Sequence, residues 1–209
     1  MVLILVVVID LVLLASSRLR AVIRSAAAQG ALLSLVPILL ATDRAEIGHV
    51  LALALIALVA KGAVIPWMLN WAIRETAIRR EVEPILGFLP SLVLGGLGVV
   101  LAFALSNDLP LPAPERHALL VPTALSTVWA GLLLVVSRRK AVAQVIGFLV
   151  LENGVFLFGL LISDFMPAMV EAGVLLDLLA AVFVMGIVMF DINREFSSLD
   201  TEKLSALKD

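Results

Sequence analysis

The chain has 209 residues, of which 62% are hydrophobic and only 15% charged, and its mean hydropathy is +1.15. Soluble domains average about 45–50% apolar and about 25% charged residues, so this composition leaves too little polar surface to coat one. With 15 Lys and Arg against 17 Asp and Glu, no Cys and two His, it excludes a disulfide scaffold, a nucleic-acid binder, a disordered chain, and the ligands of an iron–sulfur cluster or an ordinary zinc site.

A helix across the hydrocarbon core takes about 20 apolar residues, and the sequence predicts an all-α, polytopic integral membrane protein with seven transmembrane helices. The apolar stretches run over 2–15, 26–41, 48–71, 85–105, 118–136, 142–162 and 172–190. The first two are short, and they cross only if Arg18, Arg20 and Arg24 snorkel or the bilayer thins locally. The first has no basic leader, carries Asp10 and lacks a clear cleavage site, so it reads as a retained helix rather than a signal peptide.

Basic residues crowd alternate connections. Arg18, Arg20 and Arg24, then Arg74, Arg79 and Arg80, then Arg138, Arg139 and Lys140, and finally Arg194, Lys203 and Lys208 fall on one side. The intervening connections hold only Arg44 and Arg116. Positive charge is retained in the cytoplasm, which predicts an N-terminus outside and a C-terminus inside.

Pro84 is expected to open the fourth helix. The proline-rich segment 107–114 divides a four-helix part (1–107) from a three-helix part (115–192), with a cytoplasmic tail over 193–209. Pro37 and Pro66 fall inside helices, where they kink the axis and free backbone carbonyls. Gly95, Gly96 and Gly98 form a small-residue patch suited to close helix packing. Trp67, Trp71 and Trp129 read as interfacial anchors or lipid-facing bulk. No internal repeat is visible, which disfavours a self-contained carrier.

Asp10, Lys61, Glu152 and Asp177 lie well inside spans. A charge at the bilayer centre costs about 2.5–3.5 kcal/mol on insertion scales, so such residues face water, one another or a partner subunit. Low dielectric disfavours the charged form of any of them, and moving one charge then changes the protonation of the next. This chemistry suits proton transfer. Each residue also has a structural alternative. Glu152 with Asn153 could simply hydrogen-bond between helices, Lys61 could be a fixed counter-ion, and Asp10, in its short span, reads first as structural. A retinal protein with Lys61 as the Schiff base is excluded by the lack of Tyr and the 6% aromatic content.

Ser137-Arg138-Arg139-Lys140-Ala141 leading to Leu151-Glu152-Asn153-Gly154, then Val170-Glu171-Ala172-Gly173, Asp177 and 181–185, form a pattern that resembles the hydrogenase-4 component E family. These are membrane subunits of complex-I-like energy-converting hydrogenases such as formate hydrogenlyases. The tail, Leu199-Asp200 followed by Leu204-Ser205-Ala206-Leu207-Lys208, and the Lys61…Pro66 segment fit the same pattern. The last three helices are also similar to the small three-helix K subunit of respiratory complex I and to its counterpart in Mrp-type antiporters. There Leu149 occupies the place of a family glutamate, with Glu152 about one turn later, and Val182 occupies another, with Asp177 five residues earlier.

The resemblance implies a subunit without a cofactor of its own, in a complex whose NiFe and iron–sulfur centres sit elsewhere. It implies antiporter-like and other small membrane subunits and a peripheral hydrogenase-like arm as partners, in the plasma (inner) membrane of a prokaryote. Glu152 would carry protons, with Lys61 as its charge-coupled partner or a relay. Asp177 and Asp10 would be further proton-transfer candidates, and Asn153 and Pro66 supporting residues. Leu199, Leu204 and Leu207, on one helical face of the tail, would dock on a neighbour. The alternatives are a subunit of a cation/proton antiporter without redox chemistry, or a passive assembly scaffold.

Overall fold

The computed structural model describes residues 1–40, 47–75, 85–107, 119–162 and Gly186. Among these, the regular elements are all helical. They are α1 (Val2–Ala15), α2 (Leu19–Leu40), α3 (Ile47–Val59), a π-helical turn (Ala60–Val64), α4 (Ile65–Glu75), α5 (Phe88–Asn107), α6 (Leu120–Ser137) and α7 (Ala141–Ile162). Because α3, the π turn and α4 are continuous, they form one span. Among the described residues five helices are long and apolar enough to cross a membrane, and α1 is a shorter apolar helix. Apart from Gly186, the seventh predicted stretch (172–190), with Asp177, lies outside the described residues, as do the tail leucines Leu199, Leu204 and Leu207.

Two predicted boundaries are corrected. The second helix is not short: it begins at Leu19 and runs 22 residues. Arg20 and Arg24 sit on its exposed side while Val22 and Ile23 pack inward, so the basic residues that looked like a loop are its first turns. The fourth span begins at Phe88, with Pro90 in its first turn. Pro90 there needs no N–H partner, so the role expected of Pro84 falls to it; Pro84 itself lies outside the described residues.

The helices run up and down through one bundle. Arg138, just beyond α6, donates from Nη2 to the carbonyl of Leu14 at the end of α1, 2.7 Å away. The Ile85 N–H, before α5, bonds to the Ser137 carbonyl at 2.8 Å. The ends of α1 and α6 and the starts of α2, α5 and α7 therefore meet at one end of the bundle. Ile73 of α4 joins Leu19 and Val142 in the apolar cluster there. Apart from Lys61, every described Lys and Arg belongs to this end.

Packing follows the logic of a bundle in lipid, where small residues go inward and large ones outward. Along α5, Ser91, Gly95, Gly98 and Ala102 are buried, whereas Leu89, Val93, Leu97 and Val100 are exposed. Gly95 packs on Leu14 and Gly98 on Trp129, but Gly96 meets nothing within 4 Å, so the expected patch is a pair rather than a triplet. The closest approach is the α6–α7 hairpin. A Cβ on Gly147 would lie 2.7 Å from the Val135 nitrogen, one on Gly154 would lie 2.6 Å from the Val128 nitrogen, and Gly131 rests against the Leu151 backbone. Trp129 is not an interfacial anchor: it sits mid-helix and donates its indole N–H to the Leu94 carbonyl at 3.0 Å, tying α6 to α5. Trp67 is 70% exposed, as expected of lipid-facing bulk.

Candidate functional site

Two apolar clusters fill the bundle. One, at the basic end, contains Leu13, Leu14, Leu19, Ile23, Leu69 and Leu134. The other, toward the opposite end, contains Val6, Leu33, Val36, Leu120, Ala124 and Leu157. Between them α1 and every span except α5 contribute a buried polar side chain. Asp10 comes from α1, Gln29 from α2, Lys61 from the π turn, Thr127 from α6, and Glu152 and Asn153 from α7. Each of these residues lies near the middle of its span, so together they form a polar layer at mid-depth.

The layer is joined by hydrogen bonds. Lys61 Nζ donates to Asn153 Oδ1 at 2.9 Å, and Asn153 Nδ2 donates to Gln29 Oε1 at 3.3 Å. Gln29 Nε2 in turn donates to Asp10 Oδ1, while Thr127 Oγ1 donates to Asp10 Oδ2 at 2.8 Å. The result is one unbroken chain from Lys61 to Thr127, with members from α1 and four spans. Lys61 also lies over the Phe156 ring, 5.0 Å from its centroid, a favourable place for a cation.

Local sequence explains how Lys61 reaches this layer. Pro66 has no N–H to give to the preceding turn, and the helix answers with a π turn in which the Ile65 N–H reaches the Ala60 carbonyl. The Pro66 carbonyl is tied down by Asn70 Nδ2, at 2.8 Å. Across from the π turn, Gly30 of α2 lets the backbones close up: a Cβ there would be 2.7 Å from Lys61 Cβ.

Lys61 and Glu152, the two residues favoured for proton transfer, line the same small pocket, which is roughly one water molecule in size. Asn153 and Pro66 line it as well. Its remaining walls are Ile23, Ala26 and Ala27 of α2, Ile65 and Leu69 of α4, and Leu149 of α7. All of these lie on the basic-end side of the layer. Asp10 is in the layer too, at 1% exposure and on the far side of Gln29. Asp177 lies outside the described residues. Gln29 and Thr127, which join these groups, are not among the residues the sequence singles out. The available signal is a lone carboxamide in the apolar second helix; Thr127 gives none, since mid-helix Thr commonly bonds its own backbone. Among the described residues no group of His, Cys, Asp and Glu is placed to hold a metal ion.

The fold and site thus define an apolar helical bundle of the membrane-spanning kind, built round a buried polar layer. Compared with known proteins, the chain is 34% identical over 195 residues to the uncharacterized protein Rv0085 of Mycobacterium tuberculosis, an alignment spanning 91% of this chain and 87% of that protein. It belongs to the family of that protein. It is also distantly homologous to hydrogenase-4 component E of Escherichia coli K12, at 29% identity over 152 residues, which covers 73% of this chain and 70% of that one; the Shigella flexneri component E matches equally. No family model matches the chain, and no solved structure does so significantly.

Proposed function

We propose that this chain is a non-catalytic membrane subunit of a complex-I-like energy-converting hydrogenase or a related redox complex. Its polar layer would form part of the path by which electron transfer elsewhere in the complex drives proton or sodium translocation. The observation that carries this reading is the continuous mid-depth chain from Lys61 to Thr127, with Glu152 beside it on the Lys61 pocket. The distant homology to a hydrogenase component supports the setting. Three ionisable groups held between apolar layers cost several kcal/mol on insertion scales, and a carrier of charge gains something in return.

In this reading Glu152 takes and releases the proton, and Lys61 responds to its charge. The redox centres, NiFe and iron–sulfur, belong to the peripheral arm, and the neighbours are antiporter-like and other small membrane subunits. The basic end faces the cytoplasm of a prokaryote by the positive-inside rule, with the N-terminus outside. Asp177 would extend the path, and the tail leucines would dock on a neighbouring subunit.

The experiment is redox-driven ion uptake in inverted membrane vesicles carrying Glu152→Gln. The complex assembles, electron transfer persists or slows, and coupled translocation is lost. Wild-type translocation by the assembled variant refutes the role. If Glu152→Gln and Lys61→Met instead lower assembly while each assembled complex works normally, the layer is only a scaffold. Co-purification with antiporter subunits and no redox protein favours the antiporter reading.

A further inference from the structure

We infer that Gln29 and Asn153 act as a two-carboxamide bridge that couples the charge on Asp10 to the charge on Lys61 without carrying a proton between them. This deepens the proposed function and rests on it for its purpose, but the coupling can be measured independently of translocation.

The directions of the hydrogen bonds carry the inference. Lys61 has only donors, so Asn153 must turn its oxygen to the ammonium, and its NH2 then points to Gln29. Gln29 accepts with its oxygen and turns its own NH2 to Asp10. Flipping either amide would set NH2 against the ammonium or oxygen against the carboxylate. The second Asp10 oxygen faces the Thr127 hydroxyl at 2.8 Å, which donates to the carboxylate when Asp10 is ionised. The two amide dipoles therefore line up head to tail between a cation and an anion, inside a layer sealed by apolar clusters on either side. Dipoles so aligned in low dielectric strengthen both ends.

The same two groups interrupt a proton wire. A relay must accept a proton on one side and release one from the other, as water, a hydroxyl or a carboxyl does. A carboxamide does so only by becoming an imidic acid, a high-energy tautomer, and here two stand in series. What passes from Lys61 to Asp10 is charge state, not a proton.

Among the described residues, the other buried cation that reaches α1 is Arg138, which bonds the Leu14 carbonyl one turn from Asp10; the bridge is the hydrogen-bonded route from Asp10 to a charged side chain. α2, α5 and α6 pack against α1. Neither α5 nor α6 contains an ionisable residue, and the arginines of α2, Arg20 and Arg24, are exposed near the basic end. Lys61 in turn shares its pocket with Glu152. The order of influence is Glu152, Lys61, the bridge, then Asp10. Gln29 and Asn153 are positioning residues.

The test is infrared spectroscopy of the intact complex in membranes. The carboxylic-acid band that Asp10→Asn removes reports the acid form of Asp10. At a fixed pH on the slope of its titration, Lys61→Met should raise this band about threefold, a modest value for residues in one hydrogen-bond network, and Lys61→Arg should not. With the bridge broken by Asn153→Leu, or by Gln29→Met where that variant does not assemble, the effect of Lys61→Met should fall below half. Gln29→Met should leave the rate of deuterium exchange at Asp10 unchanged. An Asp10 band indifferent to Lys61→Met, or one that responds equally with the bridge broken, overturns the coupling. Exchange slowed about tenfold or more by Gln29→Met would make the chain a wire and overturns the inference as well. If the band responds as expected while Glu152→Gln pumps normally, the coupling stands and the proposed function fails.

Discussion

Adding one methyl group at Gly30 tests whether the position of Lys61 depends on close helix approach. In Gly30→Ala the new Cβ would lie 2.7 Å from Lys61 Cβ, and 3.4 and 3.5 Å from Cδ and Cγ. Ordinary contact begins near 3.4 Å, and Cβ is too close to the backbone to swing aside. If α2 and the π turn hold their places, the overpacking costs about 1–3 kcal/mol. If they part, the 2.9 Å bond from Lys61 to Asn153 stretches beyond hydrogen-bonding range, and a bond to a charged group is worth about 1.5–3 kcal/mol. Ala gains back about 1 kcal/mol of helix propensity over Gly. The net loss is about 0–2 kcal/mol, concentrated at the proposed site. Gly62→Ala is the control: it adjoins Lys61, yet its nearest contacts would be 3.7 and 3.8 Å. Coupled ion uptake per assembled complex in vesicles should fall severalfold in Gly30→Ala and stay near wild type in Gly62→Ala. Equal behaviour of the two variants would refute the packing argument.

Two other predictions concern the frame. Arg138 is 2% exposed, bonds the Leu14 carbonyl and stacks 4.6 Å from the Phe88 centroid, so Arg138→Leu should cost about 2–4 kcal/mol by leaving a helix end unsatisfied. It should show as lower thermal stability of the solubilised complex, whereas Arg139→Leu, at an exposed site, should be nearly neutral. Gly154→Leu drives a side chain into the Val128 backbone and should separate α6 from α7; pulse-chase measurement should find the subunit degraded, and normal accumulation would contradict the close approach.

The five described spans and the shorter helix α1, the basic residues between them and the depth of Lys61, Glu152 and Asp10 are legible in the sequence, because each depends on local hydropathy, which acts residue by residue along a helix axis. The start of α2 escapes for the same local reason: arginines at exposed positions of a first turn look like a loop until the buried Val22 and Ile23 are seen beside them. Which way each helix faces is not legible. Helices destined for lipid are apolar all round, so no polar stripe marks the inward face, and it is the small residues, Gly30, Gly131, Gly147 and Gly154, that define it.

The bonds that make the site join residues 92, 117 and 124 positions apart, and no sequence spacing announces them. Pro66 announces a break in its helix, but only the bundle shows that the break delivers Lys61 against Gly30. How deep each charge lies follows from its place along an apolar stretch. Which charges share a chain of hydrogen bonds follows from the packing of the bundle, because rotation about a helix axis is set by the neighbours it packs against.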